Sequence, residues 1–279
     1  MDQAAGADSP HLEQDEQDQA AAHSAPRALV IHEIVRAEGE EALSRTASAL
    51  LWSGLAAGLS MGFSFLVEAL IASRLPDTQV RHLFESLGYC IGFLIVILGR
   101  QQLFTESTLT VVLPVLTRRT TEALVALLRL WGIVLAANIA GTWVFAWLLT
   151  APDVFRPEVV SALARLARAP TEAAFGVTLV RAVFAGWLVA TMVWLLPSAR
   201  YARFFVVVLI TFVVALGELA HVIAGSVEAG YAVLTGASSM GAYAWRFLVP
   251  TLLGNTLGGV AFVALLNHAA IAPEIRPEE

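Results

Sequence analysis

Long apolar runs separated by short polar segments make up most of the chain. Four of the runs are uninterrupted, and each is longer than the roughly 20 residues that a helix needs to cross the hydrocarbon core of a bilayer. They occupy residues 47–72, 122–150, 172–196 and 245–270. Two further runs, 82–117 and 204–235, are each interrupted in the middle by a polar, glycine-bearing break. The pattern predicts six membrane spans, of which the second and the fifth are broken.

The two breaks cover residues 99–107 and 217–226. Lipid cannot satisfy loose backbone N–H and C=O groups, so such breaks are tolerated only where they are buried in protein or line a cavity. Broken spans in corresponding positions of two halves are typical of a transporter's binding site. The breaks are therefore the first place to search for function.

The two halves of the chain resemble each other around these breaks. Residues 138–141, Asn-Ile-Ala-Gly, in the third span match residues 255–258, Asn-Thr-Leu-Gly, in the sixth, and Ala57-Gly58-Leu59 is similar to Ala185-Gly186-Trp187. An odd number of spans per half inserts the halves in opposite orientations. The predicted fold is an all-α integral membrane protein with an inverted 3+3 repeat.

Four segments follow from this pattern. Residues 1–28 are rich in Asp, Glu, Gln and Ala and predict a disordered acidic tail that is not a signal peptide. Residues 29–44 have helical spacing and mixed charge, which predicts an amphipathic interfacial helix. Residues 45–270 form the six-span domain, with its longest internal loop at 151–171, and residues 271–279 form a polar end.

Composition supports a membrane class and excludes several others. Hydrophobic residues make up 57% of the chain and charged residues 14%, with a mean hydropathy of +0.71. A soluble domain is nearer 25% charged. Cys90 is the single cysteine, so no intrachain disulfide or cysteine metal cluster is expected. The sequence contains no phosphate loop or nucleophile triad, and we expect no enzyme activity, cofactor, metal or nucleic-acid partner.

The charges also suggest an orientation. All seventeen basic residues are arginine. With the N-terminus inside, eight arginines fall in inside segments and six in outside segments, a small excess that favours cytoplasmic N- and C-termini.

His221 is the main candidate for chemistry. Imidazole is the side chain whose unperturbed pKa lies near physiological pH, and His221 stands inside the second break. Glu218 lies three residues earlier and would share its face if a helix continued there. Thr105 and Glu106 occupy the other break, where Thr105 is positioned to bond His221 across a pore or to bond its own backbone.

Other candidates have a structural alternative. Phe104 can form a pore constriction or simply pack, and Gly225 and Ser226 complete the second break. Asn138 and Asn255 are expected to bond the backbone of the neighbouring break.

Three stretches carry a resemblance to a known family. They are Leu103-Phe104-Thr105, His221-Val222-Ile223-Ala224-Gly225, and the run from Phe247 to Gly259 that contains Pro250, Asn255 and Gly258. The first two resemble the helix breaks of the formate/nitrite transporter family, and the third resembles its closing motif, the most specific of the three. The resemblance covers roughly residues 45–270.

The resemblance implies an aquaporin-like six-helix protomer, assembled as a homopentamer with one pore in each protomer. It implies small monovalent anions of weak acids, such as formate, nitrite or hydrosulfide, as substrates. His221 would be the central pore histidine, Thr105 its hydroxyl partner and Phe104 part of an apolar constriction. Pro250 would belong to the supporting closing motif.

The chain departs from the family pattern at several positions. Gly225 and Gly186 stand where the family usually carries asparagine, and Ala220 stands where an acidic residue normally precedes the histidine. No lysine precedes the fourth span, which leaves Arg165 or Arg168 as substitutes. These departures are typical of a divergent branch.

These observations lead to one main hypothesis and two alternatives. The main hypothesis is a proton-linked channel or transporter for a small weak-acid anion, multi-pass in a bacterial-type inner membrane. The alternatives are a pore for a small neutral solute, and a non-conducting membrane scaffold or sensor whose acidic tail recruits a partner.

Overall fold

Helices account for the regular structure of the protein in the computed structural model, which describes residues 9–23 and 25–274 and places no strand within them. In chain order they are α1 (Gln14–His23), α2 (Ala28–Ser44), α3 (Ala47–Ala72), α4 (Gln79–Leu98), α5 (Phe104–Thr110), α6 (Val112–Arg118), α7 (Thr121–Leu149), α8 (Pro157–Leu166), α9 (Ala169–Glu172), α10 (Phe175–Leu195), α11 (Arg203–Leu216), α12 (Ala224–Leu234) and α13 (Met240–Glu274). The predicted all-α membrane class is confirmed.

Five helices within the described residues are long and apolar enough to cross a membrane: α3, α4 from Val80, α7, α10 and α13. The predicted fifth span has no single helix of that length. It is built from α11, with 14 residues, and α12, with 11, on either side of the second break. The predicted second span is likewise divided into α4 and, after the first break, α5 and α6.

The breaks are shorter than the sequence predicts. Helix resumes at Phe104 after the first break and at Ala224 after the second, so Thr105, Glu106 and Ser226 already lie on helices. Arg100 and Glu218 adopt left-handed backbone conformations at the ends of α4 and α11, with φ of 51° and 48°. Residues with these dihedrals terminate helices, so each break begins with a sharp turn.

Two segments predicted to lack regular structure contain helices. Inside the predicted tail, α1 begins where the backbone N–H of Glu13 donates to the Glu16 carboxylate, a local cap of the first turn. Residues 1–8 and 24 of that tail lie outside the described part. In the predicted loop 151–171, Pro157 starts α8, whose buried Val159 and Leu163 pack on the bundle.

Close helix pairs form the scaffold of each half: α3 packs on α7, and α10 packs on α13. A Cβ atom added at Gly58 would collide with the backbone of Asn138, and one added at Gly186 would collide with the backbone of Asn255. Glycine at these crossings lets the backbones approach without a side chain between them. A glycine–asparagine crossing of this kind thus occurs once in each half.

The predicted interfacial segment forms α2, which packs across one end of the bundle. It buries His32, Val35 and Leu43 and makes contacts with α5, α6 and α13. The Nε2 atom of His32 lies 3.1 Å from Nδ1 of His268, which joins α2 to the last turns of α13. Helix α2 therefore lies against the second part of the first broken span.

Candidate functional site

Two cavities approach the breaks from opposite ends of α4 and α10. The first, of about 380 Å³, lies beside α2 and is named here the α2-side cavity. Its walls include the C-terminal end of α4 at Ile97, the first break and Glu106 of α5. Three carboxylates and three arginines line it, so its formal charges balance; they are Glu38, Glu41, Glu106, Arg45, Arg100 and Arg203.

The second cavity, of about 270 Å³, lies beside α8 and is named the α8-side cavity. Its walls include α4 from His82 to Tyr89, the second break at Ala220, and Gly225 of α12. Four carboxylates line it against two arginines; they are Glu68, Glu85, Glu218, Glu228, Arg165 and Arg181. This cavity therefore carries an excess of acidic side chains.

A closed layer, formed by Phe93, Thr105 and His221, separates the two cavities. These residues are at most 1% exposed and line neither cavity. Tyr89 lines one cavity and Ile97 the other, and the eight helical steps from one residue to the other correspond to about 12 Å. The ring of Phe93 packs edge-on against the imidazole of His221, with centroids 4.9 Å apart. A solute that follows α4 from one cavity to the other meets this layer.

Hydrogen bonds at both ring nitrogens fix the state of His221. The backbone N–H of Ala224 donates to Nδ1 at 3.2 Å, so Nδ1 acts as an acceptor. The hydrogen of the neutral ring is then on Nε2, which donates to Thr105 Oγ1 at 2.8 Å. The Thr105 hydroxyl hydrogen is not needed for this bond. It remains able to donate to a solute oxygen.

Asn138 closes the first break. Its Oδ1 accepts from the N–H of Phe104 at 2.9 Å, and its Nδ2 donates to the carbonyls of Gln102 and Gly54 at 2.9 and 2.8 Å. Buried peptide groups need partners, and the side chain amide supplies two bonds at the break that a helix would have supplied, while the third ties the break to α3. Leu103 is held between the two bonded peptide groups.

Asn255 closes the second break in the same way. Its Oδ1 accepts from the N–H of Val222 at 2.8 Å, and its Nδ2 donates to the carbonyls of Ala220 and Ala182 at 2.9 and 2.8 Å. His221 is held between the two bonded peptide groups, in the position that Leu103 has in the first break. The asparagine therefore orients the histidine without touching its ring.

Glu218 does not share a face with His221, because the chain turns at Glu218 instead of continuing as a helix. Its carboxylate lies 3.4 Å from Arg181 and faces the α8-side cavity. Glu106 lines the α2-side cavity, so the two acidic residues of the breaks face opposite cavities. Neither belongs to the closed layer.

Phe104 and Ser226 are buried, and neither lines a cavity. The ring of Phe104 packs edge-on against Trp131, with centroids 5.7 Å apart. Ser226 donates to the carbonyl of Val222 and lies 3.2 Å from the hydroxyl of Tyr243. Their contacts in the structure are with protein groups.

Phe247 occupies the space that a side chain at position 225 would need. A Cβ atom at Gly225 would lie 2.6 Å from the Phe247 ring. Phe247 lies in the π-helical turn of α13 that precedes the buried Pro250. The ring of Phe247 on α13 therefore fills the space beside Gly225 that a side chain at position 225 would occupy.

Sequence reasoning missed Tyr89, Phe93 and Glu85 at the site. Glu85, 5% exposed, is bonded to Arg165 of α8 at 2.5 Å and lies 3.2 Å from Arg81. Arg165, one of the two arginines expected to replace a vestibule lysine, thus lines the α8-side cavity with its charge already paired.

No group of three or more His, Cys, Asp or Glu residues in the described part is placed to hold a metal ion.

Comparison with known proteins agrees with this architecture. The model of the formate/nitrite transporter family matches residues 29–269. The chain is 43% identical over 245 residues to the Inner membrane protein YfdC of Escherichia coli (strain K12), a match that covers 88% of this chain and 79% of that protein. It is 27% identical over 254 residues to the Formate channel BtFdhC of Bacillus thuringiensis, which covers 86% and 93%.

Solved structures share the fold. A pentameric formate channel with formate bound matches with a TM-score of 0.67 and 19% identity, over 81% of this chain and 98% of that one. An FNT family ion channel matches with a TM-score of 0.73 and 20% identity, over 86% and 98%.

Proposed function

Because the chain belongs to the formate/nitrite transporter family, it is a membrane channel or transporter and not an enzyme, and we propose that it carries a small monovalent weak-acid anion, such as formate or nitrite, together with a proton. The observation that carries this proposal is the His221–Thr105 hydrogen bond in the closed layer between the two cavities. His221 lies in the second break and Thr105 in the first turn of α5, directly after the first break, and both place polar atoms among apolar residues.

The closed layer is an energetic barrier to a charged substrate. Moving an ion from water into an apolar environment costs far more free energy than moving the neutral acid. A substrate that gains a proton before the layer and loses it afterwards avoids most of that cost. Net transport is then one anion with one proton, which links the flux to the proton gradient.

His221 and Thr105 are suited to this proton step. When the ring holds a second proton, at Nδ1, the bond from the Ala224 N–H must break, so the charged ring loses a partner. Passing the Nδ1 proton directly to the substrate anion returns the ring to the neutral bonded state. In a relay through Thr105, the hydroxyl gives its hydrogen to the substrate and takes the Nε2 hydrogen. The ring then regains the Ala224 bond only after its remaining hydrogen moves from Nδ1 to Nε2. The N–H or O–H bond of the donor breaks and the O–H bond of the substrate acid forms, so charge and protons balance.

Relatives support the assembly and the location that we propose. One solved structure of the same fold is a pentameric formate channel, and the relative from Escherichia coli is named as an inner membrane protein. We therefore propose that this protein is a homopentamer in a cytoplasmic membrane. The small excess of arginines in the segments predicted to lie inside favours both termini in the cytoplasm.

Stopped-flow uptake by proteoliposomes tests the proposal. Formate, nitrite, hydrosulfide and acetate are compared from about pH 5 to about pH 8, beside the His221→Phe variant. We expect fast flux that rises as the pH falls and that disappears in the variant. Unchanged flux and an unchanged pH profile in the variant would overturn the proposed role of His221.

Passage of a small neutral solute is a second candidate. The excess of carboxylates over arginines in the α8-side cavity favours it, because such a wall repels free anions. Flux that follows the concentration of the neutral acid supports the weak-acid mechanism. Transport of uncharged solutes only, at a rate independent of pH, supports the second candidate.

A further inference from the structure

Two carboxyl groups in the α8-side cavity have no ion-pair or hydrogen-bond partner among the described residues. Glu68 comes from α3 and Glu228 from α12. The other two carboxylates of the cavity are paired, Glu85 with Arg165 and Arg81, and Glu218 with Arg181. The arginines are thus already neutralised, and the charge of the cavity depends on Glu68 and Glu228.

Tyr89 lies beside these two carboxyl groups. It is 6% exposed, lines the cavity, and interacts electrostatically with both Glu68 and Glu228, which also interact with each other. Its hydroxyl forms no hydrogen bond with a described residue. Because Tyr89 lines the cavity, its hydroxyl is free to form a hydrogen bond with a solute there.

Tyr89 also contacts the closed layer. The ring of Tyr89 packs on that of Phe93 with centroids 5.3 Å apart, and Phe93 packs on His221. A solute bound at Tyr89 is therefore separated from the histidine by one aromatic residue.

We propose that Glu68, Glu228 and Tyr89 form a proton-donating binding site for the weak-acid substrate at the α8-side entrance to the closed layer. The inference rests on the proposed function, and it adds a second proton site that is distinct from His221. Glu68 and Glu228 interact electrostatically with each other, and Arg165 also acts on Glu68. Repulsion between the two nearby negative charges favours one proton held by the pair. The shared proton and the Tyr89 hydroxyl give two O–H donors for an oxyanion.

Proton transfer from this site to the substrate conserves charge and the number of protons. The O–H bond of the carboxylic acid breaks as the O–H bond of the substrate acid forms, and the electron pair remains on the glutamate. Both glutamates are then charged, and their repulsion favours capture of a new proton from water at the mouth of the cavity. The substrate enters the closed layer as a neutral acid, and no oxidation or reduction is involved.

Other charged groups face the same cavity. His82, on α4, lies 3.9 Å from Glu85 and is half exposed, and the remaining charges are the Glu85–Arg165 and Glu218–Arg181 pairs. In the α2-side cavity Glu41 and Glu106 also form no ion pair with a described residue, but three arginines line the same walls and its formal charges balance. The excess of acidic side chains is therefore found in the α8-side cavity.

Uptake measurements with Glu68→Gln, Glu228→Gln and the double variant test the site. Amide groups keep the size and the hydrogen bonding but cannot transfer a proton. At about pH 7 we expect the double variant to lose flux by on the order of a hundredfold, within the range that a positioned proton donor contributes. At about pH 5 the loss shrinks, since more substrate arrives already protonated.

Two further variants complete the design. Tyr89→Phe removes only the hydroxyl and should raise the concentration for half-maximal flux. Glu158→Gln removes an exposed carboxylate on α8 and should keep the wild-type profile. Gel filtration confirms that each variant assembles as the wild type does.

Infrared spectroscopy detects the shared proton without transport. The C=O stretching band of a protonated carboxyl group should be present in the wild type at about pH 7 and weaker in the double variant. An identical band in the two proteins overturns the inference, as does a double variant whose flux at neutral pH equals or exceeds that of the wild type.

If none of the four acids moves through the wild type, the proposed function fails and this inference fails with it. If they move and the double variant is unaffected, only this inference fails.

Discussion

The Nε2 atom of His221 lies 2.8 Å from the hydroxyl oxygen of Thr105, and this bond joins the two broken spans. Each partner is anchored independently. Thr105 follows the peptide group that Asn138 binds, and His221 precedes the peptide group that Asn255 binds. The geometry of the bond is therefore set by two asparagines that do not touch it.

Replacing Thr105 by Val tests what the hydroxyl contributes. The variant keeps the shape but leaves the buried Nε2–H of His221 without an acceptor, which costs about 1–3 kcal/mol. We expect a lower melting temperature and strongly reduced flux in proteoliposomes. Thr105→Ser keeps the oxygen and should retain most of the flux, and equal loss in both variants would contradict this role.

Replacing Asn255 by Leu removes three hydrogen bonds at the second break and leaves peptide groups unsatisfied in the membrane. Each bond contributes about 0.5–1.5 kcal/mol. We expect destabilisation by several times that amount, measured by thermal unfolding in detergent. Asn138→Leu is the matched variant in the other half and should destabilise to a similar extent. Because only Asn255 orients the histidine directly, any residual flux should lose its pH dependence in the Asn255 variant alone.

Introducing asparagine at position 225, the residue that the family usually carries, should destabilise this protein. A side chain there meets the ring of Phe247. The second substitution Phe247→Ala should restore part of the stability, because it opens the space that Gly225→Asn needs. A double-mutant cycle measures the coupling, which we expect at about 1–3 kcal/mol. Additive effects of the two substitutions would show that the ring does not fill this space.

Attachment of α2 should weaken in acid. Partial burial of Glu33 acts to raise its pKa, but hydrogen bonds with Arg36 and His32 outweigh that effect and lower the pKa below its ordinary value. A carboxyl group with a lowered pKa stabilises the folded state above its ordinary pKa, and that contribution is lost as the pH falls through the lowered value. The protection factors of the α2 backbone amides against hydrogen exchange should therefore fall below about pH 4.

Glu33→Gln should flatten this acid dependence. Glu41→Gln, which removes an exposed carboxylate from the same helix, is the control and should leave it in place. If α2 loosens equally in both variants, another group is responsible.

The sequence allowed the spans and the closing asparagines to be identified, because apolar length and the repeated Asn-x-x-Gly spacing follow directly from membrane depth and close helix packing. It did not place Glu218, since the expectation of a shared face with His221 assumed a helix where the chain adopts a left-handed turn. Tyr89 and Phe93 were missed because an aromatic residue in an apolar run gives no signal of the cavity that it faces.

The role of Phe104 could not be predicted from the sequence either. Whether an aromatic side chain narrows a passage or packs on a neighbour depends on residues distant in the chain, here Trp131 on α7. Helix α8 was missed because proline and arginine in a connecting segment suggested a loop, whereas Pro157 starts a helix and Arg165 pairs with Glu85.

The asparagine bonds have a consequence for how such a protein could have evolved. Asn138 satisfies only groups of the first half, and Asn255 only groups of the second, so each half closes its own break. A duplicated ancestral half would have had every bond needed to keep its shape. The position held between the bonded peptide groups was then free to diverge, and it is Leu103 in one copy and His221 in the other. The hydrogen bonds that fix the backbone therefore do not depend on the side chain at this position. Substitutions there can change which solute passes through without changing the backbone of the break.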